Sequence, residues 1–210
     1  MNVALVGDST LDNAAYTSGG PAVTDQLRVE LGESHSVSLV ARDGDITRDV
    51  PHQLRSMPGS TTHIVLSVGG NDALAHLDLL SSRVATVGEA MSELGRALSQ
   101  FEGDYRRCLR EVVALGRPTI VCAIYNGNFL PDERGAIECT ARLFNDVIIQ
   151  AASDAGCTIL DLRRVCVDRS DFFNPIEANT QGGAKIARGL GELLLAETPP
   201  GIFPHRRDMV

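Results

Sequence analysis

Short apolar runs alternate along the chain with longer segments in which apolar residues recur at helical spacing. The short runs lie near 3–6, 36–40, 62–68, 118–124 and 157–160. The longer segments cover 20–31, 46–56, 82–115, 133–154 and 181–195. Strands that alternate with helices are typical of right-handed βαβ units on a parallel sheet. The pattern therefore predicts a three-layer α/β/α sandwich around a five-stranded parallel sheet, for which we expect a flavodoxin-like strand order.

The longest segment and the C-terminus set the boundaries of the predicted domain. Residues 82–115 carry one apolar stripe at helical spacing, and Gly103 within it favours a break into two helices. Pro199 and Pro200 would stop the last helix. We expect a single domain over 1–197 and a C-terminal tail over 198–210. At this length about 65–75% of the unfolded surface can be buried, which is enough for a core without disulfides.

Composition and charge exclude several classes of protein. Hydrophobic residues make up 43% and charged residues 22% of the chain, as in ordinary soluble globular proteins. The 27 acidic residues outnumber the 19 Lys and Arg, so the net charge of -8 disfavours binding to nucleic acid. The first residues lack the features of a signal peptide, and no apolar run reaches about 18 residues. We therefore expect a cytoplasmic protein with no nucleic acid and no membrane among its partners.

The sequence carries no cofactor motif. The five cysteines are odd in number, widely spaced and without a CxxC pair, which indicates reduced core thiols. Neither a phosphate-binding loop, a dinucleotide-binding glycine motif nor a His/Cys cluster at metal-ligand spacing is present. We expect no cofactor and no metal.

Polar turns follow the predicted strands, where ligand sites form in parallel sheets. In chain order they read Gly7-Asp8-Ser9-Thr10, Arg42-Asp43-Gly44-Asp45, Gly69-Gly70-Asn71-Asp72 and Tyr125-Asn126-Gly127-Asn128. A serine between a strand and a helix has the geometry of an exposed nucleophile, although Ser9 could also be a plain helix cap. The paired glycines let the backbone approach a ligand, and the Asn71 amide can donate to a developing alkoxide.

Three of these blocks, taken in this order, resemble the SGNH (GDSL-type) hydrolase family over nearly the whole chain. They are Gly7-Asp8-Ser9, the isolated Gly44 and Gly69-Gly70-Asn71-Asp72. The resemblance implies that Ser9 is a nucleophile and that the Ser9 amide, the Gly44 amide and the Asn71 side chain form an oxyanion hole. It also implies hydrolysis of an acyl ester, or acyl transfer, on a small-molecule ester or acyl substrate.

The family's last block, Asp-x-x-His-Pro, is not matched. When the last helix is aligned by Gly182, Asn174 stands in the place of the acid and Glu177 in the place of the histidine. We expect Glu177 to act as an atypical general base, although it could instead cap the last helix. The ordinary pKa of Glu is about 2 units below that of His, a deficit of about 3 kcal/mol unless burial raises it. Three neighbours could provide that burial: Phe172, Phe173 and Ile176.

None of the five histidines stands in the expected place. His35 and His63 precede strands and should lie at the opposite edge of the sheet, while His52 falls in a helical pattern. His76, five residues after Asn71, and His205, on the tail, are the two that could replace the missing base.

Other polar residues at the strand ends are candidates for shaping the site. We expect Asp8 and Asp72 to fix Ser9 and Asn71 through local hydrogen bonds. Asp171 could hold its loop or share a proton with Glu177. The expected pocket residues after the fourth strand are Tyr125, Asn126, Asn128 and Phe129.

The missing Asp-His pair leaves a second reading open. The chain could be a pseudo-hydrolase that only binds a ligand, or an enzyme that uses the oxyanion hole without acylating Ser9, because a fold does not decide a function. The sequence also leaves open the acyl group and the oligomeric state.

Overall fold

The core of the fold is one parallel β-sheet. A computed structural model describes residues 1–196, and its five strands lie in the order β2-β1-β3-β4-β5. The strands are β1 (Asn2–Gly7), β2 (Ser36–Leu39), β3 (His63–Ser67), β4 (Thr119–Ala123) and β5 (Thr158–Asp161). Each lies within one residue of its predicted bounds. The order is flavodoxin-like, and the predicted fold class is confirmed.

Within residues 1–196, six α-helices cover the two faces of the sheet. They are α1 (Val23–Leu31), α2 (Val50–Ser56), α3 (Gly70–Leu74), α4 (Val87–Val113), α5 (Pro131–Asp154) and α6 (Thr180–Leu195). Side chains of β1 alternate between two hydrophobic clusters, because successive residues of a strand point to opposite faces. Val3 and Leu5 pack in the cluster of α1 and α6, whereas Ala4 and Val6 pack in the cluster of α4 and α5.

The helices differ from prediction in four places. The predicted break at Gly103 is wrong, because α4 continues through it from Val87 to Val113 and buries its apolar stripe on both sides of the glycine. This helix begins later than predicted because the Thr86 side chain caps it by accepting a hydrogen bond from Glu89 N at 3.1 Å. Similarly, α1 begins after Pro21, and α2 begins only at Val50 because the preceding residues form a loop at the carboxyl edge of the sheet.

Membrane-spanning helices and the predicted C-terminal tail were both raised by the sequence. Within residues 1–196, no helix combines the length and the apolar character that crossing a lipid bilayer requires. The predicted tail over 198–210, with His205, lies outside the described residues.

The glycines of α4 and α6 should respond oppositely to alanine. A Cβ at Gly182 would lie 2.3 Å from the Asp171 carbonyl oxygen, whereas a Cβ at Gly103 would meet nothing within 4 Å. We expect Gly182→Ala to lower the free energy of unfolding by about 1–3 kcal/mol through overpacking. Gly103→Ala should raise it by about 0.5–1 kcal/mol, because Ala is the better helix former. Urea unfolding measures both, and a change of the same sign in the two variants would contradict the packing described.

Candidate active site

The turn after β1 depends on a very close approach between two strands. Gly7 has a φ of 133°, and a Cβ there would lie 1.7 Å from the carbonyl oxygen of Ser67 at the end of β3. The next amide, Asp8 N, donates to that same oxygen at 2.9 Å. Only glycine permits this approach. It places Ser9 just beyond the carboxyl end of β1, which lies between β2 and β3 in the sheet.

A buried glutamine holds the same turn from the other side. Gln53 of α2 is 2% exposed. Gly7 N donates to Gln53 Oε1 at 2.7 Å, and Gln53 Nε2 donates to Gly7 O at 2.7 Å, so the carboxamide acts like a neighbouring strand. Gln53 Nε2 also donates to Asp45 Oδ2 at 2.7 Å. Sequence analysis missed this residue, since one glutamine in a helical pattern carries no signal of such a role.

The loop after β2 is tied to α3 by two residues that the sequence singled out. Asn71 Nδ2 donates to the carbonyl oxygen of Asp45 at 2.9 Å. Asp72 Oδ2 accepts hydrogen bonds from Thr47 N at 3.0 Å and from Thr47 Oγ1 at 2.9 Å. Burial raises the pKa of Asp72, although both bonds from Thr47 lower it. Asp72 therefore fastens the loop that adjoins Asn71.

Gly44 lies in that loop with its backbone in a turn. Its φ is 83°, and the turn is closed by Asp45 N donating to Arg42 O at 3.2 Å. Gly44 is exposed and is not among the residues that line the pocket described below. Within residues 1–196, the amide groups of Ser9 and Gly44 have no hydrogen-bond partner. The second N–H of Asn71 Nδ2 is likewise left over by its bond to Asp45.

The turn before α6 presents Glu177 to Ser9. Asn174 Oδ1 accepts hydrogen bonds from Ile176 N at 2.9 Å and from Glu177 N at 2.8 Å. Asn174 thus shapes the backbone that carries Glu177 and is not among the pocket-lining residues. The alternative of Glu177 as helix cap is wrong, because the cap is Asn179, whose Oδ1 accepts from the first amides of α6.

The environment of Glu177 makes its carboxyl group a weak acid. The residue is 5% exposed, and its Oε2 has no hydrogen-bond partner among residues 1–196. Burial raises the pKa of Glu177 to about 7, a hydrogen bond from the Ser9 side chain lowers it, and the charge of Asp43 raises it. Of the predicted apolar neighbours, Phe172 is buried, but Phe173 is 54% exposed and does not supply the burial.

Asp8 has the local role that the sequence indicated. Its Oδ1 accepts from Thr10 N at 3.0 Å, which fixes the turn on both sides of Ser9. Burial raises the pKa of Asp8 to about 7, the hydrogen bonds from Thr10 lower it, and the charges of Glu177 and Asp72 raise it further. Two buried carboxyl groups of raised pKa therefore flank Ser9.

A pocket of about 70 Å³ opens beside Ser9. Among its polar lining residues are Asp8, Ser9, Asn71, Asn126 and Glu177. Its apolar wall includes Leu74, Leu77, Ile124, Phe129, Ile137 and Ile176. Tyr125 also lines it, whereas the structure leaves Gly44, Asp72, Asn128 and Asn174 out of the lining.

The loop after β4 holds the turn of Glu177 in place. Tyr125 Oη donates to Ile176 O at 2.8 Å, and Asn128 N donates to Pro175 O at 2.7 Å. A Cβ at Gly127 would lie 2.5 Å from Pro175 O, so glycine is required for this approach. Asn128 therefore positions the turn through its backbone.

His76, the predicted substitute base that falls within residues 1–196, is not at the pocket. His76 lies with its ring 6.1 Å from that of Phe144 and is not among the lining residues. Asp171 does not approach Glu177 as a proton partner; it is fully buried and pairs with Lys185 Nζ at 2.8 Å, which holds its loop. Within residues 1–196, no three His, Cys, Asp or Glu residues form a group that could bind a metal ion.

Comparisons with known proteins show that other proteins share this fold. The crystal structure of a phospholipase A1 from Streptomyces albidoflavus NA297 has a TM-score of 0.67 to this chain at 21% identity, covering 91% of this chain and 98% of that one. A lipase/acylhydrolase from Enterococcus faecalis has a TM-score of 0.64 at 17% identity, with coverage of 90% and 95%. An inhibitor-bound aryl esterase from M. smegmatis has a TM-score of 0.62 at 14% identity, with coverage of 92% and 97%.

At such identities the three structures show that the fold is shared. No curated protein sequence matches the chain. The model of one family, described as the GDSL-like Lipase/Acylhydrolase family, matches residues 5–180, which include every residue of the pocket. The chain therefore belongs to the GDSL-like lipase/acylhydrolase family, whose general reaction is the hydrolysis of acyl esters.

Proposed function

We propose that the protein is a serine-dependent acyl-ester hydrolase in which Glu177 replaces the histidine base. The observation that carries this proposal is that Ser9, Asn71 and the buried Glu177 line one pocket, in which the Ser9 side chain lowers the pKa of the Glu177 carboxyl group. A nucleophile that contacts a base of suitable pKa is the minimum that acyl-enzyme chemistry requires.

The reaction proceeds through an acyl-enzyme on Ser9. Ser9 Oγ attacks the ester carbonyl carbon while its proton passes to the Glu177 carboxylate. The tetrahedral intermediate then collapses, the bond to the alcohol oxygen breaks, and the departing alkoxide takes the proton from Glu177. A water molecule attacks the acyl group by the same sequence, which releases the acid and restores Ser9 and ionised Glu177.

The raised pKa of Glu177 removes the main objection to a carboxylate base. In water a Glu is a much weaker base than His, but burial brings the pKa of Glu177 to about 7, close to the ordinary value for imidazole. One difference from imidazole persists, because protonation makes the carboxylate neutral and leaves no cation beside the oxyanion. Stabilisation of the oxyanion must therefore come entirely from hydrogen-bond donors.

Three donors are available for that purpose. We propose that the amides of Ser9 and Gly44 and the second N–H of Asn71 bind the oxyanion. The absence of hydrogen-bond partners for both amides within residues 1–196 supports this assignment. The loop that carries Gly44 is connected to the Ser9 turn through Asp45 and Gln53, which fixes the donors before substrate arrives.

Covalent labelling tests the nucleophile. An alkyl organophosphonate should add to the wild-type protein and not to Ser9→Ala, because Ser9 is the proposed nucleophile and lines the pocket together with Glu177. Mass spectrometry of the digested protein should place the label on the peptide that contains Ser9. Failure of the wild type to react, or equal labelling of both proteins, would favour the non-hydrolytic reading.

Removal of the Asn71 donor should slow the chemical step. We expect Asn71→Ala to lower kcat by about 10²–10³, the usual loss for one donor of an oxyanion hole, because the bond strengthens as charge develops. The effect should appear in steady-state kinetics with a short-chain p-nitrophenyl ester, with circular dichroism as the control for folding. An unchanged kcat with a raised KM would assign Asn71 to substrate binding instead.

The pH profile tests the base. Glu177 must be ionised before attack, so kcat/KM should rise as pH passes about 7 and stay level above it, since the pKa of Glu177 is raised to about 7. Glu177→Gln should lower kcat/KM by at least about 10² and abolish this rise. His76→Ala should keep both the rate and the profile.

Stability provides a control for the same variant. A carboxyl group of raised pKa in the folded state costs stability as pH rises through its unfolded pKa of 4.5 towards 7. Glu177→Gln should therefore be more resistant to urea than the wild type above pH 7, even as it loses activity. Full activity in Glu177→Gln, or loss of activity in His76→Ala, would overturn the assignment of the base.

A further inference from the structure

A buried asparagine binds the chain just beyond the end of β4. Asn145 of α5 is fully buried. Ile124 N donates to Asn145 Oδ1 at 2.7 Å, and Asn145 Nδ2 donates to Ile124 O at 2.8 Å. Ile124 follows the last pair of the β4–β5 ladder, Ala123 with Asp161, so the carboxamide takes the place of a neighbouring strand. Asn145 thus holds the chain where the loop after β4 begins.

The loop after β4 is bound in turn to the residues that carry Glu177. Tyr125 Oη donates to Ile176 O at 2.8 Å. Asn128 N donates to Pro175 O at 2.7 Å. Because Tyr125 directly follows the residue that the buried asparagine binds, a shift at the end of β4 would disturb both of these bonds.

We propose that Asn145 is a positioning residue for Glu177. It fixes the end of β4, and the loop after β4 then keeps the carboxyl group of Glu177 buried in the pocket that Ser9 lines. Asn145 is not among the lining residues, so it acts only through its neighbours. The proposal rests on the proposed function, because it takes Glu177 as the base.

The two bonds of Asn145 require a group that accepts and donates at once. A carboxamide has an oxygen acceptor and N–H donors, which match the N–H and C=O of Ile124. A leucine would leave both backbone groups without these partners, which is costly away from water, so the loop would move to solvate them. A protonated carboxyl group offers one acceptor and one donor, whereas an ionised one only accepts and would repel the carbonyl oxygen of Ile124.

Release of the loop should change the strength of the base. Burial raises the pKa of Glu177 to about 7. Once water reaches the carboxyl group, its pKa should fall towards the ordinary value of 4.5. The titratable side chains that interact electrostatically with Glu177 include Asp8, Tyr16, Asp43 and Tyr125, and they are the same in every variant below.

Direct titration of Glu177 tests the proposal without relying on catalysis. Carbon-13 NMR follows the side-chain carboxyl groups of the labelled protein, and the Glu177 signal is the one absent from Glu177→Gln. We expect this signal to titrate near pH 7 in the wild type. In Asn145→Leu its midpoint should be lower by about 1 pH unit or more, because a solvated carboxyl group loses the effect of burial.

Steady-state kinetics should change in step with that titration. With a short-chain p-nitrophenyl ester, Asn145→Leu should lower kcat by about 10- to 100-fold, as expected for a misplaced catalytic group. KM should change less, because the carboxylate acts in the chemical step. The rise of kcat/KM with pH should move to lower pH together with the NMR midpoint. A role in folding alone would lower Tm and move neither midpoint.

Two further variants separate positioning from stability. In Asn145→Asp, full burial should raise the pKa of the introduced carboxyl group by about 3–5 units, so near neutral pH it is protonated and keeps both bonds. This variant should exceed Asn145→Leu in kcat/KM and then lose activity at higher pH, a falling limb that the wild type lacks. Val112→Ala is the control, because Val112 is fully buried at the end of α4 and does not line the pocket. It should unfold at lower urea concentration and leave both midpoints unchanged.

The remaining outcomes distinguish the two proposals. If Glu177 still titrates near pH 7 in a folded Asn145→Leu, the positioning role is wrong and the proposed function stands. Should Asn145→Leu not fold, absence of the falling limb in Asn145→Asp overturns the positioning role. A wild-type Glu177 that titrates near pH 4.5 overturns both proposals. A shifted titration in a protein that hydrolyses no ester and is not labelled on Ser9 overturns the proposed function alone.

Discussion

The close approach of Gly7 to Ser67 is the constraint on which the site depends. Any side chain at Gly7 would collide with the carbonyl oxygen at the end of β3. The peptide of Gly7 is held on its other side by the carboxamide of Gln53, which also binds Asp45. Because Asp45 O accepts from Asn71, one chain of hydrogen bonds links the ends of β1, β2 and β3. Ser9 and Asn71 are thus positioned by the sheet itself.

Burial of carboxyl groups is the energetic cost of this arrangement. Asp8 and Glu177 lie in one pocket with pKa values raised to about 7, so each is partly protonated near neutral pH. A solvated Glu177 would be a more stable residue and a weaker base. Burial of Glu177 destabilises the turn that carries it. Hydrogen bonds from Asn174, Tyr125 and Asn128 hold this turn in place. Sites with pKa values shifted this strongly are commonly functional.

Where the sequence departs from the family's last block, several residues of the turn before α6 have roles that fit together. In place of an acid that would orient an imidazole, Asn174 binds the two amides that follow it and so sets the backbone of Glu177. Two nearby polar residues have structural roles: Asn179 caps α6, and Asp171 pairs with Lys185. The proposed base Glu177 needs no acid to orient it, since a carboxylate has no tautomer to select.

The sequence by itself determined the parallel sheet, its strand positions and the meeting of Ser9 and Asn71 at one edge, because apolar periodicity and strand ends are local properties. Glu177 was assigned to the same site only through the resemblance to the family's last block. Tertiary structure alone decided the rest. The continuity of α4 through Gly103 follows from the sheet that buries its stripe. The role of Gln53, the exclusion of His76 and the raised pKa of Glu177 all depend on burial by residues distant in the chain. The burial of a residue depends on all of its neighbours in space, and the order of residues along the chain does not specify those neighbours.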